Sequence, residues 1–94
     1  MVQIMEDIIR KRIYVDGRVQ GVGFRYKVKY LAPGFGITGL VKNLDDGRVE
    51  MELQGTDSGI ERLLQEINND RFIVIKDMQW ELISVIEEKG FHIR

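Results

Sequence analysis

Ninety-four residues, 44% hydrophobic and 31% charged, describe one compact domain spanning 1–94, large enough for a single core and too small for two. The absence of cysteine removes disulfides, thiolate zinc sites and a thiol nucleophile, and no apolar run approaches the roughly 20 residues needed to cross a bilayer. The net charge of -1 is unevenly spread: residues 10–48 hold nine Lys or Arg against three Asp, and the remainder five against twelve acidic residues, which suggests an anionic ligand near the first half unless folding interleaves the two.

Residues 1–10 carry Glu6 and Asp7 among apolar side chains and lack the apolar core and cleavage site of a leader. They read as a flexible N-terminal extension on a cytoplasmic protein, although Ile4, Ile8 and Ile9 offer apolar groups that could pack on the domain or on a partner. Lys11 to Gly17 alternates, with Ile13 and Val15 on one face and Arg12, Tyr14 and Asp16 on the other, as in a half-buried strand. After the glycine-punctuated run Arg18 to Gly23, the spacing Phe24, Val28, Leu31, Ala32 predicts a helix that Pro33 and Gly34 end.

Ile37 to Leu44 and Arg48 to Gly55 are two further strands, joined by an Asp45-Asp46-Gly47 hairpin turn. Ser58 with Glu61 fits a capping box opening a second helix, marked by Ile60, Leu63, Leu64 and Ile67 and fraying at Asn68 to Asp70. The tail predicts a strand near Met78 to Ile83 and a short one at Phe91 to Ile93. In order this is an α+β fold of the ferredoxin-like βαββαβ plan, an antiparallel sheet with two helices on one face and a short extra C-terminal strand.

The segment Gly17-Arg18-Val19-Gln20-Gly21-Val22-Gly23-Phe24-Arg25 places three glycines and two arginines where a strand hands over to a helix. Glycines by themselves often make only a tight turn. They also let successive amides point inward as a nest beside the positive end of the following helix, which is an anion cradle. An arginine at that helix start opposes the dipole and needs a compensating anion, and its planar fork suits a phosphate. No Gly-Lys-Ser or Gly-Lys-Thr follows, so the segment is not a nucleotide-binding P-loop.

The run from Val15 through Gly17-Arg18-Val19-Gln20-Gly21-Val22-Gly23-Phe24-Arg25 resembles the acylphosphatase signature, and Gly36 to Glu50, containing Val41-Lys42-Asn43-Leu44-Asp45-Asp46-Gly47, is similar to that family's second signature. Gln54-Gly55 and the terminal Phe91, Ile93 and Arg94 fall where the family has matching residues, so the resemblance covers 11–67 well and the end approximately. It implies hydrolysis of acyl phosphates to carboxylate and inorganic phosphate, by direct attack of a water positioned by Asn43. Phosphate would be held by Arg25 and the backbone amides of Gln20, Gly21, Val22, Gly23, Phe24 and Arg25, and the bound phosphate itself would accept the water's proton. The chain is further expected to be a monomer without metal or cofactor, acting on a small molecule and binding neither nucleic acid nor membrane. A carboxylate leaving group needs no general acid, so a site without a catalytic histidine is chemically sufficient.

Other residues have plainer readings. Asn43, taken by position alone, is better explained by hydrogen bonding around a turn, and only the second signature overturns that reading. Asp45 and Asp46 read as turn residues, His92 as a surface residue facing away from the core, Tyr26 and Tyr30 as packing groups, and Trp80 as core or strand-face filler. Relative to the family pattern, Leu40 stands where an aromatic is common, and Arg71 to Ile75 replaces a Gly-Pro turn. An RNA-recognition role fits poorly, because Arg48 to Leu53 offers acidic rather than aromatic groups. The nearer rival is a carbamoyl-phosphate-handling or inactive phosphate-binding domain of the same fold, against which the short cysteine-free chain weighs.

Overall fold

The computed structural model describes residues 6–94, so the first half of the expected extension, Ile4 included, lies outside the described residues. Strand β1 runs Ile8–Arg18, longer at both ends than the alternation of Lys11 to Gly17 predicts. Ile8, Ile9 and Arg10 pair with Thr56, Gly55 and Gln54, and Ile9 packs against the core. The last residues of the expected extension are thus part of the sheet.

Helix α1 (Phe24–Leu31) buries Phe24 and Val28, and Ala32 continues the apolar stripe into a 3-10 turn, Ala32–Phe35, that absorbs Pro33. Strands β2 (Thr38–Asn43) and β3 (Val49–Thr56) form a hairpin closed by Leu44 N donating to Arg48 O at 2.8 Å. Helix α2 (Asp57–Asn68) buries Gly59, Ile60, Leu63 and Ile67. Its cap is Thr56, whose Oγ1 accepts from Gly59 N at 3.0 Å, rather than the expected Ser58. The reason is that β3 stays extended through Thr56, so Ser58 is already inside the first turn.

Strand β4 (Val74–Ile83) starts four residues before the predicted position, because Ile73 anchors the preceding turn in the core. Strand β5 (Phe91–Ile93) ends the chain. The sheet order is β4-β1-β3-β2-β5, all neighbours antiparallel except β2 with β5. This is the expected ferredoxin-like α+β fold, two interleaved split βαβ units with the short extra strand at the β2 edge. Ile13, Val15, Val41, Met51 and Leu53 of the sheet meet Phe24, Val28, Ile60, Leu63 and Ile67 of the helices, all at most 2% exposed. Each such side chain contributes roughly 1.5–3 kcal/mol on burial.

The far face of the sheet is polar. Arg10, 1% exposed, sits there between Glu52 at 3.0 Å and Glu88 at 2.6 Å and also donates to Gln54. Glu88 and Ile86 belong to the crossover from β4 to β5, so this network straps that segment across the sheet. The charge imbalance between the two parts of the sequence is largely cancelled here. Acidic β3 lies between basic β1 and β2, giving Arg10–Glu52 and Lys42–Glu50, while Lys11 pairs with Asp57 and Lys27 with Asp70.

Two aromatic expectations change, and Trp80 takes the strand-face half of its own. Tyr26 and Tyr30 are 70% and 84% exposed, because α1 turns its Phe24–Val28 stripe inward and these two positions outward. Trp80, on edge strand β4 beyond the cover of the helices, is 56% exposed and lies over Lys11 Nζ at 4.2 Å.

Acid should weaken this fold in a predictable direction. The Phe72 amide and then the Lys27 ammonium hold the Asp70 carboxyl below its ordinary value. Burial is the largest single influence on Glu88 and opposes its charge, but hydrogen bonds from Arg10 and Thr38, with Arg10's charge, outweigh it and hold its carboxyl low as well. A carboxyl with a depressed folded value stabilises the fold above its unfolded value and loses that contribution as pH falls through the folded one. Melting temperature should therefore be level near neutrality and fall once pH drops below about 4. The Asp70→Asn, Glu88→Gln chain should have a lower neutral melting temperature and a flatter acid limb, and an acid limb as steep as the parent's would exclude these two groups as its source.

Candidate active site

The glycine loop between β1 and α1 is pinned at both ends by core side chains, Val19 at 1% exposure and Phe24 at 2%. Between them Gly21 and Gly23 have φ of 74° and 79°, and no non-glycine described residue has positive φ. The sign of φ therefore alternates from Gln20 to Phe24, the pattern that turns successive amide N–H groups to one concave side. Gly23 is also the N-cap of α1 and offers no side-chain cap, and the first turn contains no acidic residue. The first intrahelical bond there is Lys27 N to Gly23 O, so the amides of Phe24, Arg25 and Tyr26 have no partner within the helix. Helix α2 is different, with Thr56 capping it and Asp57 in its first turn.

Arg25 is the second residue of α1 and half-buried. Among the described residues it makes no ion pair, while Arg10, Arg12, Lys11, Lys27, Lys42 and Arg48 all do. Its guanidinium is left in the field of a helix start that disfavours a cation.

Asn43 comes to the same place by strand parity. Gly39, Val41 and Asn43 alternate with Leu40 and Lys42, and Val41 is fully buried beneath the helices, so Asn43 continues the covered face at the end of β2. Its Oδ1 is buried and has no hydrogen-bond partner among the described residues. Leaving such an acceptor unpaired costs about 1–3 kcal/mol. A cavity of about 200 Å³ is lined by Val19, Gly21, Gly23, Phe24, Arg25, Tyr26 and Asn43, so Arg25 and Asn43 share one wall-to-wall space with the loop.

Gln20 and Val22, expected to contribute backbone amides, do not line this cavity with the others. Val22 leans on the core, and the Gln20 side chain turns to the β2–β3 hairpin, donating from Nε2 to Leu44 O at 2.8 Å and to Arg48 O at 2.9 Å. Tyr26 is a lining residue that sequence reasoning missed, although its place immediately after Arg25 on the helix was a signal. A larger groove of about 400 Å³ lies between α2 and β4, but its cation, Lys11, is already paired with Asp57 and Glu61. Asp46 binds the Arg48 amide and guanidinium within its own turn, as Asp-Asp-Gly predicts. His92 donates from Nε2 to Lys89 O at 2.7 Å and does not line the cavity with Arg25. No cluster of three or more His, Asp or Glu side chains able to hold a metal ion occurs among the described residues.

The acylphosphatase family model matches residues 11–93. An acylphosphatase of Geobacillus kaustophilus is 53% identical over 86 residues, covering 89% of this chain and 92% of that protein. The crystal structure of the Bacillus subtilis acylphosphatase superposes with a TM-score of 0.82 at 38% identity, covering 92% of this chain and 98% of the other. Full-length HypF in its phosphate- and nucleotide-bound form also superposes, with a TM-score of 0.82 at 29% identity over 97% of this chain but 12% of its own.

A Cβ added at Gly21 or Gly23 meets no atom within 4 Å, so replacing either by alanine is opposed by conformation alone. Each Gly→Ala change should cost about 1 kcal/mol, a fall in melting temperature of about 4–8 °C. Each should also weaken inorganic phosphate binding measured by calorimetry. Full phosphate affinity in both variants would show that the nest is not the anion cradle.

Proposed function

The chain belongs to the acylphosphatase family, enzymes that hydrolyse acyl phosphates to a carboxylate and inorganic phosphate, and on that premise we propose that Arg25 and the loop amides hold the phosphoryl group while Asn43 holds the attacking water. The observation that carries the proposal is the buried, unpartnered Asn43 Oδ1 on the wall of the cavity that contains unpaired Arg25. An acceptor so placed takes one hydrogen of a water and leaves the water's lone pair free to face phosphorus.

The steps follow from charge and position. The dianionic phosphoryl end enters the nest, where amide N–H groups and the planar guanidinium share its equatorial oxygens through charge-assisted bonds. The water oxygen attacks phosphorus as the bond to the acyl oxygen breaks on the opposite side. The carboxylate departs without needing a proton, and the water's proton passes to a phosphoryl oxygen, leaving inorganic phosphate. Such a transition state is loose, and most of the protein's task is orientation and charge stabilisation. Preorganised donors supply that, because they do not have to reorganise when charge develops.

Two substitutions separate the roles. Arg25→Lys keeps the charge but loses the fork, so kcat should fall and the inhibition constant of inorganic phosphate should rise together. Asn43→Ala should lower kcat by about 100-fold or more, with phosphate inhibition nearly unchanged. Both are read from benzoyl phosphate hydrolysis followed by absorbance with EDTA-treated protein. Unchanged kinetics in either variant removes that residue from the scheme, and a parent chain that binds phosphate without turning over benzoyl phosphate would favour the carbamoyl-phosphate reading.

A further inference from the structure

The side chain of Gln20 stands apart from the other loop residues because it points away from the cradle. Its Nε2 donates to Leu44 O at 2.8 Å and Arg48 O at 2.9 Å. Those two carbonyls close the hairpin itself: Leu44 N donates to Arg48 O at 2.8 Å, and Gly47 N to Leu44 O at 3.2 Å. An amide NH2 has two hydrogens, so one side chain saturates its donors on both ends of the β2–β3 turn. Leu44 is the residue immediately after Asn43, and Gln20 lies one residue before Gly21 of the nest. Among the described residues no other side-chain hydrogen bond joins the glycine loop to this hairpin.

We propose that Gln20 is a positioning residue that fixes the distance between the water held by Asn43 and the phosphoryl group held by the loop. This rests on the assignment of the water to Asn43. The two halves of the site sit on separate elements, the nest in the loop after β1 and Asn43 at the last position of β2 beside its turn, and only their relative placement makes attack in line. A tether between them leaves phosphate affinity to the loop and acts on turnover through Asn43.

The test is a double-mutant cycle on benzoyl phosphate hydrolysis, with the inhibition constant of inorganic phosphate measured alongside. Gln20→Met keeps the length and removes the donors. It should lower kcat about tenfold while phosphate inhibition stays within about twofold. In an Asn43→Ala background the same change should cost less than about twofold, because the group it positions is gone. An equal tenfold loss in both backgrounds, or a loss that falls on phosphate inhibition instead of kcat, overturns the inference. An Asn43→Ala chain with full turnover would instead defeat the water assignment itself, and this inference with it.

Gln20→Glu provides a second reading should the methionine chain fail to fold. Its carboxylate would face two carbonyl oxygens, whereas its protonated form donates to one of them. Turnover relative to the parent should therefore rise as pH is lowered, and a ratio independent of pH from 4 to 8 would count against the tether.

Discussion

An arginine in the first turn of a helix faces the positive end of the dipole it sits on, and Arg25 does so at a terminus where no side chain caps the amides. The conflict is local and unrelieved by the described protein groups, since the ion pairs of the sheet leave Arg25 out. At the start of α2 the same requirement is met inside the chain, by Thr56 Oγ1 and the carboxylate of Asp57. The two helices have one fold-level role, covering the sheet, and opposite electrostatic endings. The uncapped one is where the proposed phosphate site lies.

The ion pairs of the fold lie away from that site. Acidic β3 lies between basic β1 and β2, so Arg10, Arg12 and Lys42 find carboxylates across the sheet, and Lys11 and Lys27 find them on its covering elements. Arg10 shows how far this goes: its guanidinium is buried on the face opposite the helices and satisfied by Glu52, Glu88 and Gln54, which also holds down the crossover to β5. Deleting one carboxylate from such a group leaves a buried charge unpaired, which is the costly case, whereas the exposed Arg12–Glu81 pair carries little. Neutralisation across the sheet therefore takes up Arg10, Arg12 and Lys42, while Arg25, unpaired among the described residues, is the arginine that lines the cavity with Asn43.

The second half of the site depends on geometry that no local pattern contains. Asn43 is two residues beyond fully buried Val41, so the two-residue period of a strand aims it beneath the helix start, and the hairpin turn begins immediately after it. Its acceptor is left without a partner among the described residues, a cost that the water proposed there would remove. Gln20 belongs to this level as well. Its backbone lies in the loop, but its amide reaches a turn 24 residues away, and nothing in the glycine spacing distinguishes a side chain that points at the ligand from one that points at the hairpin.

The amino-acid sequence by itself determined the element order, the inward stripes of both helices, the glycine loop and the place of Arg25 at the helix start beside it. These depend on periodicity, backbone freedom and dipole direction, all set within a few residues. Asn43 was separable from a plain turn residue only through the resemblance of two motifs, because its role needs a neighbour from another strand. Tertiary structure alone decided that Ile8 to Arg10 join the sheet, that Thr56 displaces Ser58 as the cap, and that Tyr26 and Tyr30 face outward. It also decided that the charge-rich segments cancel one another, and that Arg25, Asn43 and the loop meet in one cavity. Each of those outcomes is fixed by strand register and helix placement across the sheet, where the contacts joining β1 to β3 and the loop to the hairpin span tens of residues that no short window can read.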